Sequence, residues 1–334
     1  MPTGGVRDLR RVQIGKQVFS GSGIGPVVPT VQLAGGCTIQ ENRNRVFPDE
    51  AQGIMSSHRR AYDTWIQAPL TYDAGTEGAT FEQLIYLLAM GVCGGVTPTN
   101  PALGTYLWTF APDFANGDNP DIFTFRVGDN WQAWEAVDVM AASLHLAAEA
   151  QGIWNVTGEL LGDQLTPATF EVIAFPSPLQ TILGQMTQFY LDDTGAGIGS
   201  TEIPGTLIGW SCDIPGFHHK YFQDGQMTPS AFGLASRALS FSLTFEFNDY
   251  AVAEWLDWQA ATKRFLRIRA LGDILTAPHR KQAIIDACVI WEQPEAIAER
   301  DGNDIITFTG RSVYDTTWGK EFELAVQNSI AAMP

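Results

Sequence analysis

The sequence predicts a mainly β protein with a few helices, and three observations carry that reading. The stretch LSFSLTFEF (239–247) alternates strictly, with Leu239, Phe241, Leu243, Phe245 and Phe247 on one face of a pleat and Ser240, Ser242, Thr244 and Glu246 on the other. Charged residues make up only 17% of the 334 residues, while Gly 33 and Pro 18 provide for many turns. The order strand, strand, helix, strand, strand, strand can also be read twice along the chain.

Taken in order, RRVQIGKQVF (10–19) reads as a strand and is followed by GSGIG and PVVPT, so residues 1–30 read as an N-terminal arm. VQLAGGCTIQENRNRVFPDEAQGIM (31–55) and TLIGWSCDIPGFHHKYFQDGQM (206–227) then share landmarks: Cys37 and Cys212 stand 175 residues apart, Met55 and Met227 172. A strand follows in each, AYDTWIQAPLTY in the first copy and LSFSLTFEF in the second.

Next comes a helix. Thr80 and Gln83 in TFEQLIYLLAM have capping-box spacing ahead of the apolar Leu84, Ile85, Leu87 and Leu88. In the second copy Asn248 and Asp249 offer caps to YAVAEWLDWQAAT.

TYLWTFAPD is matched with RFLRIRALGD, in which Leu266, Ile268 and Ala270 oppose Arg267 and Arg269. QAWEAVDVMAASLHLAAE is matched with RKQAIIDACVIWEQ, and IWNVTGELLG with DIITFTGRSVYD. The first copy is enlarged by the loop GVCGGVTPTNPALG and the extra strand DIFTFRVGD. Prolines place the join in TPATFEVIAFPSPLQ, giving a first domain over 31–168 and a second over 169–334. A period this long fits two tandem copies of one small domain.

The formal charge of −17 argues against a chain that grips nucleic acid, since phosphate affinity comes from clustered Lys and Arg. Cys37, Cys93, Cys212 and Cys288 lie far apart without metal or disulfide spacing and are expected reduced and buried. The start lacks the apolar core of a signal peptide, and no run of 18 apolar residues occurs. GSGIG is not followed by a helix that would hold a phosphate, and GWSCD lacks the second glycine of a nucleophile elbow. The adjacent His218 and His219 point to opposite faces of a strand, so they do not share one metal. No catalytic, metal or cofactor constellation emerges.

The repeated unit, the opening VQIGKQVFSGSGIGPVVPT and the hairpin VDVMAASLHLAAEAQGIWNVTGELLG resemble the major tail tube proteins of long-tailed, non-contractile bacteriophages, from about Val12 to Asn328. That resemblance implies a small antiparallel β-sandwich or partial barrel in each domain, flanked by one helix. It also implies self-association into rings that stack into a tube, with terminator, distal tail and tape measure proteins as partners, DNA only as passing cargo and no cofactor. The implied place is the virion tail, after assembly in the host bacterial cytoplasm. Most members carry one domain and form six-subunit rings; two domains per chain imply a trimeric, pseudo-sixfold ring if both line the bore, or else a hexamer whose second domain decorates the outside. Placement in equivalent hairpins nominates Asp138, Glu149, Glu159, Asp286, Glu292 and Asp304 as bore-lining acids. The Gly-rich segments 6–28, 91–104 and 192–205 are expected to order only between rings.

Rival expectations are a tail terminator or connector that forms one ring without stacking, and a carbohydrate-binding β-sandwich using the ten Trp as stacking platforms. An enzyme ranks last.

Overall fold

The computed structural model describes residues 9–18, 31–49, 53, 55, 60–171, 179–234 and 236–333. It is mainly β, built from large antiparallel sheets with two α-helices among the described residues. Residues 19–30, including GSGIG, lie outside the described residues.

The first half of the chain contains β1 (Arg11–Lys16), β2 (Val31–Gln32), β3 (Gly36–Ile39), β4 (Asn42–Val46), β5 (Tyr62–Asp73), α1 (Leu84–Gly91), β6 (Thr99–Ala102), β7 (Thr105–Phe110), β8 (Phe123–Gly128), β9 (Ala133–Glu149), β10 (Asn155–Gly162) and β11 (Leu165–Ala168). The second contains β12 (Thr187–Asp192), β13 (Leu207–Pro215), β14 (Phe217–Lys220), β15 (Ala231–Leu234), β16 (Ser240–Glu246), α2 (Asp249–Ala260), β17 (Arg264–Thr276), β18 (His279–Trp291), β19 (Ala298–Arg300), β20 (Asn303–Ser312) and β21 (Phe322–Asn328).

Two successive sets of strands occur in the same spatial order. β3 pairs with β5, β5 with β10 and β10 with β9; β13 pairs with β16, β16 with β20 and β20 with β18. The rungs match residue by residue. Cys37, Tyr72, Gly158 and Leu144 stand side by side in the first set, as do Cys212, Phe241, Gly310 and Trp291 in the second. All are buried, as alternation requires of the core-facing row. β9 then pairs with β13, so the two sets form one continuous array.

The long strands β9 and β18 leave this array at their N-terminal ends and enter a second layer. There β9 pairs with β8 and β11, and β8 with β1; β18 pairs with β17 and β21, and β17 with β12. One buried cluster joins residues of both halves, from Val12 to Val326. The β16 rings Phe241 and Phe245 and the β17 residues Leu266, Ile268 and Ala270 are buried in it. Each fully buried large apolar side chain contributes about 1.5–3 kcal/mol.

These pairings revise the matching made from sequence. β17 corresponds to β8, the strand DIFTFRVGD, because each joins the first or twelfth strand to the long strand that follows it. The insertion in the first half is the β6–β7 hairpin, which pairs with the outer edge of β21. β1, read as a strand within the arm, instead pairs with β8 and buries Val12 and Ile14 in the core. Alternation marks a strand, but only its partners show which repeat position it fills.

The helices also differ from each other. In α1 every residue is buried, so no amphipathic pattern survives. Thr80 Oγ1 accepts from the Gln83 N–H at 3.2 Å, while the Gln83 side chain turns away to the backbone of Gln32 and Ala34. The capping box is thus half formed. At α2 the Asn248 side chain accepts from the N–H groups of Tyr250 and Ala251 at 3.0 and 3.2 Å, the expected N-cap.

The segments 91–104 and 192–205 are held by bonds within the chain, contrary to the expectation that they order only between rings. Val92 and Cys93 are buried and β6 pairs with β7. Asp192 accepts from the N–H groups of Gly199, Ser200 and Thr201. A carboxylate with several backbone donors fixes a glycine-rich turn without outside help.

Candidate functional site

The junction of the two strand sets is antiparallel and regular. Leu144 stands opposite Ile214, His145 opposite Asp213, Leu146 opposite Cys212 and Ala147 opposite Ser211. The Gly216 and Ala150 N–H groups close it at either end, each 2.9 Å from its acceptor, Ala142 and Ile208 respectively. Beneath it Trp154 and Trp210 meet edge to face, 4.7 Å between centroids, and the Trp154 indole N–H donates to Thr187 Oγ1 at 2.8 Å. At the far end Gly209 lies under the Glu149 carboxylate, with the position of an added Cβ 2.8 Å from Glu149 Oε1. GWSCD, which lacks a nucleophile-elbow pattern, lies in β13 at this seam.

Alternation gives the array a second face opposite the core, and this face is polar and small-chained. Following the register, one row runs Thr71, Glu159, Ser143. The next runs Asp73, Thr157, His145, Asp213, Ser240, Arg311, and a third runs Ala147, Ser211, Ser242, Thr309. All are partly or fully exposed. His145 Nδ1 and Asp213 Oδ1 lie 2.6 Å apart across the seam, and Thr244 and Thr307 hydroxyls 3.1 Å apart on neighbouring strands. Such a surface has little apolar area to bury.

The sequence-predicted acids distribute unevenly over this geometry. Glu149 and Glu159 lie exposed on the polar face, and Glu149 pairs with Arg300 at 2.9 Å. Glu292 follows β18, and its N–H bond to the Thr309 carbonyl at 2.8 Å carries the register onward, placing it on the same face. Asp304 is exposed at the end of β20, in the alternation phase of Ile306 and Phe308.

Asp138 and Asp286 belong to the second layer instead. Asp138 is partly buried against Gln17, which donates to its carboxylate at 3.0 Å. Asp286 is buried and held by Arg267 through two bonds of 2.7 Å. Asp73, Asp213 and Glu246 complete the acidic set on the polar face; the signal was the polar half of each strand's alternation, as in Ser211 and Asp213 of β13.

Burial shapes the titration of several groups. It lifts Asp163 to about 7, helped by the neighbouring Asp138 carboxylate, and depresses His219 to about 4. His219 Nδ1 lies 3.1 Å from Gln67 Nε2, where the β14–β15 hairpin meets β5. The four cysteines are free and buried; burial pushes Cys37 and Cys93 up to about 12 and Cys288 to about 11. Among the described residues no group of three His, Cys, Asp or Glu is placed to hold a metal ion, and no helix is long and apolar enough to cross a membrane.

No family model matches this sequence, and no curated protein matches it. The case for a function therefore rests on the seam and the polar face.

Proposed function

We propose that this chain is a tail tube subunit of a long-tailed bacteriophage, a structural protein that assembles into stacked rings through which DNA leaves the virion. The observation that carries the reading is the β9–β13 seam. It joins two like-ordered strand sets head to tail within one chain, and head-to-tail joining is the operation that closes a ring when repeated. On this reading the halves are tandem copies of one tail-tube-like domain, each with a helix packed beside its long strand.

The polar face supplies the bore. Hydroxyl and small side chains leave a smooth wall, and Asp73, Glu149, Glu159, Asp213, Glu246 and Glu292 outnumber Arg311 and Arg300 there, in keeping with the net −17 charge. Such a wall repels phosphates and lets DNA travel without adhering. With two sets per chain, three chains give a pseudo-sixfold ring.

Electron microscopy of concentrated protein, with ring symmetry taken from end views and mass per ring from scattering, tests the reading. Rings of three chains with six similar lobes are expected. A protein that stays monomeric at every concentration, and also in the presence of purified tails, would remove it.

A further inference from the structure

The seam inside the chain also specifies the seam between chains. We infer that residues 290–292 of one chain pair with β3 of a second copy in a fixed antiparallel register, Trp291 opposite Ile39 and Glu292 opposite Thr38. The inference rests on the ring reading and adds to it a partner surface and a residue-level register.

The matched rungs set the register. Leu144 and Trp291 fill the same place in their sets, and so do Cys37 and Cys212. Within the chain Leu144 faces Ile214, two residues beyond Cys212, and His145 faces Asp213, one beyond. Carried to the ends of the array, the residue after Leu144's equivalent is Glu292, and the residue one beyond Cys37 is Thr38.

Both edges are available. β3 pairs with β5, and residues 290–292 with β20; no described strand pairs with the other edge of either. Sheet edges of this kind are templates for pairing. The seam has consumed the two equivalent edges inside the chain, on β9 and β13, leaving one of each kind unpaired.

Backbone phase agrees as well. The Glu292 N–H points to Thr309, so alternation turns the N–H and C=O groups of Trp291 to the open edge, while the Gln293 carbonyl turns back to accept from Thr309 Oγ1 at 3.3 Å. The Gln40 N–H points to Pro69 on β5, so Cys37 and Ile39 present theirs outward. The residues brought opposite one another are those whose polar groups face each other.

Beyond Glu292 the alternation breaks at Pro294, which lacks an N–H, and Glu295 donates to Thr307 of β20 at 2.9 Å, so the regular open edge ends at Glu292. Side chains match too. Trp291 is buried and Ile39 half-buried on the core side, and Glu292 and Thr38 are exposed on the polar side. The two edges differ from each other, which favours head-to-tail closure over a twofold dimer.

Disulfide trapping tests this. Glu292 and Thr38 form a non-hydrogen-bonded pair, with Cα atoms about 4.5 Å apart, within disulfide reach. The T38C/E292C variant, mildly oxidised at assembling concentration, is expected to give an inter-chain ladder on non-reducing denaturing gels that stops at the closed ring. H145C/D213C should link only within the chain, as a control for the same geometry. G36C/E292C, displaced by about 7–8 Å, should link far less. The native thiols contribute little background because burial keeps them protonated.

Rings that link through G36C/E292C and not T38C/E292C would overturn the register while leaving the ring reading intact. Loss of both inter-chain links and of all assemblies, with the H145C/D213C control still forming, would overturn both.

Discussion

Glu82 Oε1 and Lys281 Nζ meet at 2.5 Å with their side chains 1% and 4% exposed, one residue from each half of the chain. The same carboxylate accepts from the Gln180 N–H at 2.9 Å. A buried pair of this kind leaves a costly charge when one member is removed. E82Q and K281M are each expected to lower stability by about 3–5 kcal/mol, and E82Q/K281M together by much less. Urea unfolding of the four chains, with the coupling taken from the cycle, checks this.

The aromatic wedge below the seam gives a second expectation. Trp154 is fully buried and its indole donates to Thr187, so W154A removes both packing and a bond. A loss of about 3–5 kcal/mol is expected from the cavity. T187V, which strands only the indole N–H, should cost about 1–3 kcal/mol. Because one core spans both halves, calorimetry should show one cooperative transition in each case.

Asp163 gives a pH dependence. Its carboxyl is lifted from 3.8 to about 7 by burial, so the folded chain binds the proton more tightly than the unfolded one. The resulting loss of stability is absent near pH 4, grows as pH rises towards about 7 and is constant above it. D163N should therefore raise the melting temperature most above about pH 7, with the gain shrinking towards pH 4. A melting series across that range is the measurement; a gain that grows on acidification would contradict the assignment.

His219 should act in the opposite sense. Its folded value of about 4 lies below the usual 6.5, so its contribution is full above 6.5 and is lost as pH falls towards 4. Hydrogen exchange in β14 and β15 should quicken over that window, and H219Q should flatten the change.

Charge on the polar face can be altered without touching the core. Glu159, Asp213 and Glu292 are exposed, so lysine at all three is expected to leave folding within about 0.5 kcal/mol per site. DNA release from particles carrying the triple variant should slow, most at low salt where screening is weakest. Release at an unchanged rate with intact tubes would separate the wall charge from transit.

Much of the strand pattern was legible in the sequence because alternation is a local property. Leu243 and Ser242 declare opposite faces of β16 on sight, and Asn248 announces α2. The acids were harder to place for a nonlocal reason. Asp286 and Glu292 share one phase of the same run, yet Asp286 lies where β18 is covered by β17 and β21, and Glu292 lies beyond both. Where a long strand leaves one layer for another is written in its partners.

The α1 pattern misled in the same way. Thr80 and Gln83 have cap spacing, but packing on all sides of Leu84–Gly91 left the Gln83 amide free to tie down the β2–β3 turn instead.

The β6–β7 hairpin has no counterpart among the described residues of the second half, and it covers β21, whereas β11 pairs with β9 alone among the described strands. In the proposed ring this would mark alternate positions around the wall. A ring of single-domain subunits presents every site identically, so any docking protein must tolerate or break that equivalence. On the proposed reading, two like halves in one chain would deal out unlike decorations in strict one-to-one alternation, and a partner binding the hairpin would find half as many berths as there are wall segments.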